Sequence, residues 1–419
     1  MGAVRPRVVI TGVGAVSPFG AGAVKYFQGL REGRSAIRRL SLFQDAELAS
    51  QVAAEVPDFD PLDFMEPADT RRVPRLVPMA IGAAREAAAD AGIDPEKLDL
   101  EGKRDIGVLV GTGGGGIDFA ERQYEEFYGN RSRHLTPYSV SSSFVGMLSS
   151  EISIALGFRG ISHVISTGCT SSTDAIGYAF DAIRSGRQER LLTGGAEACI
   201  TPGIMAAFCR MKVISTRYND APEKASRPFD GGRDGFVLGE GAWMFLLESL
   251  ESAEKRGAKI YAEILGYGST CDAYHRVAVP NDGVESARAM MLALEDAGAS
   301  PGEIQYINLH GTGTKMNDPA ETAAVKLVFR ENARRIPASS VKSQIGHPQG
   351  ACGAAGVMAS LFALKEQFIP PTLNCEIPDP ECDLDYTPNR GRTCGIRRIL
   401  CNTVAFGSKN SAVVLGRRA

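Results

Sequence analysis

The residues Ser166-Thr167-Gly168-Cys169-Thr170-Ser171-Ser172 decide how this chain folds, because they join a short strand to a long helix. The preceding run His163-Val164-Ile165 predicts a β-strand. The following residues 173–184 carry apolar side chains at the spacing of one helical face, which predicts an amphipathic helix. We therefore expect Cys169 at the first turn of that helix, where free backbone amides favour a thiolate. Such a cysteine is a candidate nucleophile, and the alternative is a buried structural cysteine.

The region around this stretch has a counterpart in the second half of the chain. In the first half, a predicted Ala-rich helix ending in Asp90-Ala91-Gly92 is followed by a strand over residues 106–110. In the second half, a predicted helix ending in Asp296-Ala297-Gly298 is followed by a strand over residues 306–309. In both copies a glycine closes the helix and a proline prevents its continuation.

The parallel extends to the next units. Cys169 and its helix correspond to a predicted strand over residues 339–345, then His347, then a predicted helix over residues 350–365. A third pair of strands covers residues 190–197 and 399–406. The pattern predicts a duplicated α/β fold whose two βαβαβ halves, residues 1–255 and 256–419, are related by a pseudo-twofold axis. Strands that alternate with helices favour parallel sheets covered on both faces.

Composition limits the class of protein. The chain has 419 residues, of which 44% are hydrophobic and 23% charged, with a formal net charge of −3, as is typical of a globular protein. Neither nucleic acid nor a membrane span is expected, because no basic excess and no bilayer-length apolar run occurs. Residues 8–14 predict a buried strand ending in a glycine turn rather than a signal peptide. The nine cysteines are scattered and never spaced as CxxC, so we expect no disulfide framework and a cytoplasmic protein.

Two histidines occupy places like that of the cysteine. Both lie in the second half, where His310 follows a predicted strand and His347 precedes a predicted helix. Because ligand chemistry gathers at the carboxyl ends of strands in α/β folds, we expect both histidines to meet Cys169. Lys342 is expected to hold the loop of His347. The alternatives are structural histidines, or a zinc site, which the sequence supports poorly because it offers no short chelating pair and no fourth ligand.

Four motifs make the chain resemble a known family. They are Thr167-Gly168-Cys169-Thr170-Ser171, Asn308-Leu309-His310-Gly311-Thr312, Lys342-Ser343 with Gly346-His347, and Arg227-Pro228-Phe229-Asp230 with Gly239-Glu240-Gly241. Together they resemble the elongating β-ketoacyl-acyl-carrier-protein synthases of type II fatty-acid synthesis. The resemblance implies a duplicated thiolase-like fold, layered α-β-α-β-α. It implies an acyltransferase that joins malonyl-carrier to an acyl group on Cys169 by a decarboxylating Claisen condensation.

The resemblance also implies the site residues. Its catalytic residues would be Cys169, His310, His347 and Lys342. Its substrate-binding and gating residues would be Phe406, Thr312, Thr314 and Gly407, and its supporting residues Asp318, Glu321, Asp272 and His275. No metal and no bound cofactor are implied, because substrates arrive on the 4'-phosphopantetheine of an acyl carrier protein. The implied assembly is a homodimer.

Several residues depart from the common form of this family. Gly168 and Thr170 resemble the ketosynthase subunits of type II polyketide synthases, which work as heterodimers with a chain-length subunit. Gly356 stands where the family usually has a glutamate that pairs with the lysine, and Lys409 lies in an altered terminal motif. We predict elongation of fatty-acid or fatty-acid-like chains, with the polyketide ketosynthase as the alternative. A non-condensing partner subunit and a degradative thiolase fit the motifs less well.

Overall fold

The computed structural model describes residues 6–129 and 134–418. Ten strands, with the two-residue strand Gly20–Ala21 beside the first, form one continuous hydrogen-bonded sheet. The strands are β1 (Val8–Ser17), β2 (Ile106–Gly111), β3 (Ser162–Ile165), β4 (Arg190–Glu197), β5 (Gly241–Ser249), β6 (Ala262–Cys271), β7 (Tyr306–Asn308), β8 (Ala338–Ser339), β9 (Arg398–Ala405) and β10 (Lys409–Gly416).

The helices of eight or more residues alternate with these strands. They are α1 (Ala23–Glu32), α2 (Leu76–Asp90), α3 (Ile117–Tyr124), α4 (Met147–Leu156), α5 (Ser171–Arg184), α6 (Pro202–Met211), α7 (Val284–Asp296), α8 (Asn317–Phe329) and α9 (Cys352–Glu366). Shorter helices cover Pro67–Thr70, Leu100–Arg104, Ser139–Ser143, Leu250–Lys255 and Lys342–Ile345. Among the residues described, no helix is both long and apolar enough to cross a bilayer.

The strand order confirms the duplication. The first half has the order β3-β2-β4-β5-β1, and the second half repeats it as β8-β7-β9-β10-β6. The halves join where β1 and β6 pair antiparallel through three residues each. Each half has one antiparallel strand, β5 or β10, so the expectation of purely parallel sheets is wrong. The physical reason is clearest in the second half, where a tight turn after Ala405 returns the chain as a hairpin.

The layers follow the predicted α-β-α-β-α arrangement. Helices α5 and α9 lie between the two halves of the sheet, in a buried cluster that includes residues of both. Helices α2 and α4 cover the outer face of the first half. Helices α7 and α8 cover the outer face of the second half. The centre of the molecule is therefore built from the two helices that follow Cys169 and His347.

Strand β1 continues through its glycines rather than ending there as predicted. A Cβ on Gly12 would lie 2.1 Å from the Ala87 carbonyl oxygen, and one on Gly14 would lie 2.0 Å from the Ala83 oxygen. The glycines thus serve close packing of α2 on β1. Between them, the Val13 N–H donates to Asp90 Oδ2 at 3.1 Å.

The second half reproduces this contact. A Cβ on Gly266 or Gly268 would lie 2.3 Å from the carbonyl oxygen of Ala293 or Ala289, respectively. Between these glycines, the Tyr267 N–H donates to the α7 carboxylate of Asp296 at 3.2 Å. The two halves therefore share the same strand order. They also share the same contact between a helix and a strand, formed by α2 on β1 and by α7 on β6.

The strand predicted over residues 339–345 is much shorter in the structure. Strand β8 ends at Ser339, and the chain then forms the helical turn Lys342–Ile345. The turn is closed by hydrogen bonds from the Ile345 N–H to the Val341 oxygen at 3.1 Å and from the Gly346 N–H to the Lys342 oxygen at 3.0 Å. The predicted strand is wrong beyond Ser339, because residues 342–345 form hydrogen bonds within a helical turn and do not pair with a neighbouring strand.

Candidate active site

Cys169 lies in a single 3-10 turn, Gly168–Thr170, directly before α5. The chain leaves β3 through Gly168, whose φ of +71° is a conformation that favours glycine. The Ser171 hydroxyl accepts the Thr167 N–H at 2.9 Å and so fixes the start of the turn. The predicted position of Cys169 at the helix start is confirmed.

The structure brings both histidines to this cysteine. His347 Nε2 lies 3.2 Å from Cys169 Sγ. The rings of His310 and His347 lie 5.3 Å apart at 86° to one another. All three side chains are buried. The site therefore brings a thiol and two imidazoles together in one small volume.

Lys342 lies on the far side of His310. Its Nζ donates to the His310 carbonyl oxygen at 2.6 Å and lies 3.3 Å from His310 Nδ1. Within the described residues, Lys342 has no carboxylate partner in an ion pair. A glutamate has no room at residue 356, because a Cβ on Gly356 would lie 2.5 Å from Asn308 Oδ1.

Burial controls the protonation of the three central groups. It raises the pKa of the Cys169 thiol well above its ordinary value, and Lys342 and the Phe406 N–H oppose this only in part. Burial, reinforced by Lys342, lowers the pKa of both imidazoles well below 6.5. The resting site therefore holds a neutral thiol and two neutral imidazoles. The thiolate favoured by the helix start is outweighed by desolvation.

Neutral imidazoles can each accept one proton and donate another. The Lys342 ammonium donates toward His310 Nδ1, which assigns the ring proton of His310 to Nε2. Nε2 of His347 faces the thiol and can accept its proton. The Phe406 backbone N–H acts to lower the pKa of the Cys169 thiol and can stabilise negative charge beside it.

A cavity of about 190 Å³ reaches the sulfur from the surface. The two histidines and Cys169 line its inner end, and the exposed residues Lys315 and Met316 line its rim. Thr312 and Thr314 lie on its wall with their hydroxyl oxygens 3.1 Å apart. Phe406 is half-buried and lines the same cavity. Such a narrow channel suits an extended, thin substrate arm.

Two buried carboxylates hold the loop of His310. Glu321 accepts the backbone N–H of His310 and of Gly311, each at 2.7 Å. Asp318 accepts the N–H of Thr312 at 3.1 Å and of Phe229 at 2.7 Å. Both carboxylates act on backbone amides, and the loop that carries His310 is fixed by them.

Asp272, His275 and Gly407 do not line this cavity. Asp272 accepts the Asn410 amide at 2.8 Å. His275 is exposed, and its Nδ1 accepts the Val277 N–H at 3.1 Å. The Gly407 N–H donates to the Arg276 oxygen at 2.9 Å. These contacts join the β9–β10 turn to the chain that follows β6.

The sequence did not single out three residues of the site. Glu197 accepts the N–H of Gly113 at 2.7 Å and of Gly350 at 2.9 Å, and so links the two halves beside the cysteine. A carboxylate at the end of the apolar strand β4 was a signal for it. The Cys352 thiol donates to the Cys169 oxygen at 3.2 Å, and the Gln349 side chain contacts the Cys169 sulfur. No sequence pattern pointed to these two.

The three central residues also satisfy a geometric condition for metal binding. The sulfur of Cys169 and one nitrogen from each histidine lie within 4.8 Å of one another. Zinc commonly takes such ligands, together with a fourth. The nearby ammonium of Lys342 opposes a second cation electrostatically. The three side chains are of types that bind metal ions, but the positive charge of Lys342 beside them disfavours a bound cation.

Comparison with known proteins gives consistent matches along the chain. Residues 5–253 match the family model described as beta-ketoacyl synthase, N-terminal domain, and residues 261–376 match the C-terminal domain. The actinorhodin polyketide putative beta-ketoacyl synthase 1 of Streptomyces coelicolor is 42% identical over 98% of this chain and 88% of its own length. The 3-oxoacyl-(acyl carrier protein) synthase 2 of Synechocystis is 41% identical over 97% of both chains. A solved type II polyketide acyl carrier protein in complex with its ketosynthase, bound to the hexaketide, matches with a TM-score of 0.91 at 32% identity, over 99% of this chain and 100% of that chain.

Proposed function

Because this chain belongs to the β-ketoacyl synthase family of acyltransferases, we propose that it elongates an acyl group on Cys169 by decarboxylative condensation with malonyl-carrier. The observation that carries this proposal is the 3.2 Å contact between Cys169 Sγ and His347 Nε2, with His310 beside it. A buried thiol needs such a base, because burial raises its pKa.

In the first half-reaction, His347 accepts the thiol proton as the Cys169 sulfur attacks the thioester carbonyl of an acyl-carrier. The oxyanion of the tetrahedral intermediate is stabilised by the Phe406 N–H. The carrier thiolate leaves and takes the proton from His347. The products are an acyl thioester on Cys169 and the free carrier thiol.

In the second half-reaction, malonyl-carrier occupies the emptied cavity. His310 donates its Nε2–H to the thioester oxygen, and His347 donates a second N–H from Nε2 once its ring proton has moved there from Nδ1, so that loss of carbon dioxide leaves a stabilised enolate. The enolate carbon attacks the acyl carbonyl on Cys169 and expels the Cys169 thiolate, giving a 3-oxoacyl-carrier. The thiolate then takes a proton from solvent and returns to the resting thiol. Lys342 acts as a positioning residue, since it holds both the carbonyl oxygen and Nδ1 of His310.

We propose an acyl carrier protein as the partner that delivers these substrates on 4'-phosphopantetheine. The cavity supports this, because Thr312 and Thr314 present hydroxyls to a thin arm along its wall. Its rim carries the cation Lys315, which suits an anionic carrier. Gly407 and Phe406 lie in the turn beside the cysteine, where a rotation of the Phe406 ring would gate the acyl path.

We propose a dimer formed at β3. The equivalent edge strand β8 is buried, and its Ala338 N–H donates a hydrogen bond to the Asp385 carbonyl oxygen at 2.8 Å. In contrast, Ser162 and His163 of β3 are exposed. An uncovered edge strand is a ready site for pairing with another chain. A second copy gives the homodimer of a fatty-acid-type enzyme.

A homologous chain-length subunit at the same edge gives the polyketide-type alternative. The match to a polyketide ketosynthase complex at a TM-score of 0.91 favours keeping this second candidate.

We also propose a boundary between the halves at residues 255 and 256, in the connection between β5 and β6. A cytoplasmic location is supported by the nine free cysteines, which suit a reducing compartment.

The deciding experiment mixes the purified protein with an acyl-carrier and measures the intact mass. We expect one acyl group on Cys169 and none on the Cys169→Ala variant. Malonyl-carrier should then convert the adduct to free enzyme and 3-oxoacyl-carrier. An unacylated wild-type protein would contradict the proposal. Elongation only after adding a homologous subunit would favour the polyketide alternative, and loss of activity to a chelator with recovery on adding zinc would favour a metal site.

A further inference from the structure

Gln349 occupies an unusual position two residues after His347. It begins the 3-10 turn Gln349–Ala351 before α9, and its φ of +35° is uncommon for a residue with a side chain. The turn is held on both sides of the residue. Gly350 donates its N–H to Glu197 at 2.9 Å, and Ala351 donates its N–H to the Pro348 oxygen at 2.8 Å. The backbone of Gln349 is therefore fixed next to the active site.

The side chain of Gln349 points at the nucleophile. Its Oε1 lies 3.8 Å from Cys169 Sγ, within reach of the thiol proton. Its Nε2 is buried and has no hydrogen-bond partner among the residues described. A buried amide donor without a partner costs stability, so each such group calls for an explanation. The Nε2 donor belongs to the same amide group as Oε1, which contacts the sulfur that carries the acyl group in the proposed reaction.

Gln349 approaches the sulfur from outside the entrance cavity. The walls of that cavity include Thr312, Thr314 and Phe406, and Gln349 does not line it. The arm of the carrier fills the entrance cavity in the proposed reaction. The acyl chain retained on Cys169 must therefore extend along other walls, and the Gln349 side chain contacts the sulfur at 3.8 Å from outside the entrance cavity.

We propose that Gln349 is a specificity-determining residue whose amide N–H binds an oxygen on the third carbon of the acyl group. The inference rests on the proposed acylation of Cys169. The oxygen on the first carbon is assigned to the Phe406 N–H. An oxygen on the third carbon lies roughly 4 to 5 Å from the sulfur by ordinary bond lengths. The Gln349 amide, whose Oε1 lies 3.8 Å from the same sulfur, is within reach of such an oxygen. The substrate class is thus a 3-oxoacyl or 3-hydroxyacyl chain, and condensation itself produces a 3-oxo group.

The test compares two carriers of equal chain length. Acetoacetyl-carrier and butyryl-carrier differ only in the oxygen at the third carbon, and the rate of mass gain on Cys169 is measured for each. We expect acetoacetyl to react faster, and Gln349→Met to reduce the ratio of the two rates about tenfold, the effect of one neutral hydrogen bond. Gln28→Met, on the exposed face of α1, is the control and should leave the ratio unchanged.

A second variant keeps the test decisive if the methionine disturbs the turn. Gln349→Glu preserves the length of the side chain and removes the donor, and it should also reduce the ratio. A wild-type ratio near one, or an equal slowing of both substrates in both variants, would overturn the role of Gln349. Absence of any acylation in the wild type would instead contradict the proposed function.

Discussion

At the residue scale, Cys169 and the two histidines have separable tasks. In the proposed mechanism the sulfur carries the acyl intermediate, His347 also accepts the thiol proton, and both imidazoles act on the malonyl thioester. We predict that Cys169→Gln abolishes condensation and retains decarboxylation of malonyl-carrier, because His310 and His347 keep their places in the cavity. Carbon dioxide release and 3-oxoacyl formation are measured in parallel. Loss of both activities would contradict this division of tasks.

His310 gives the complementary prediction. Its ring does not make the short contact to the Cys169 sulfur, which belongs to His347. His310→Ala should therefore slow decarboxylation strongly, by about 100-fold or more for the loss of an oxyanion donor, while Cys169 is still acylated. Intact mass and carbon dioxide release distinguish the two steps. A variant that cannot be acylated would identify His310 as the base.

The lowered pKa of the imidazoles predicts an unusual pH profile. Decarboxylation requires neutral rings, and burial together with Lys342 lowers the pKa of both below 6.5. The rate of the Cys169→Gln variant should stay level as the pH falls through 6.5 and decline only at lower pH. Adding Lys342→Met removes a positive charge, makes protonation easier and so moves this decline to higher pH. A decline centred near 6.5 in both proteins would contradict the assignment.

Gly356 gives a prediction about stability. Its Cβ position lies 2.5 Å from Asn308 Oδ1, whose amide group donates to the Tyr306 hydroxyl at 3.2 Å. Gly356→Ala should destabilise the protein by about 1 to 3 kcal/mol, because it overpacks a buried contact. Urea denaturation measures the change, with Gly302→Ala as a control whose added carbon meets only Ser300 Oγ, at 4.0 Å. An unchanged midpoint would show that Asn308 can move aside.

At the scale of elements, the glycine contacts fix how a helix sits on the first strand of each half. Gly14→Ala and Gly268→Ala should each destabilise the fold by about 3 kcal/mol or more, because the added carbon meets a backbone carbonyl that cannot rotate away. The matched control is Gly146→Ala, where nothing lies within 4 Å. Equal stability of all three variants, measured by urea denaturation, would contradict the role of these contacts.

The elements themselves were predicted where periodicity is strong. Helix α5 and strand β4 lie where the sequence indicated. Strand β1 extends beyond its glycines. These glycines allow close packing of α2, and the local sequence pattern does not indicate that contact. Strand β8 is short, because the buried residues Lys342–Ile345 form a helical turn instead of extending the strand. Local sequence thus predicts where an element is, whereas its ends depend on neighbours.

At the scale of the whole molecule, the exposed edge predicts assembly. The hydrogen bonds from Val108 and Thr112 go to residues 161 and 165, so the N–H of Val164 faces away from β2. Val164→Pro should leave the fold intact, remove this donor and shift the dimer toward a monomer of 44.6 kDa. Light scattering and circular dichroism provide the measurement and the control. A wild-type monomer, or a variant dimer as stable as the wild type, would contradict β3 as the interface.

The sequence by itself determined the duplicated architecture and the three residues that meet at its centre. Repeated helix ends, strands and glycine turns carry that information, because chemistry in an α/β fold collects where strands end. Only the tertiary structure decided the protonation of these groups and their surroundings, since desolvation and close contacts depend on residues far apart in the chain. Glu197 reaches Gly350, and Gln349 reaches Cys169, only after the halves have packed together.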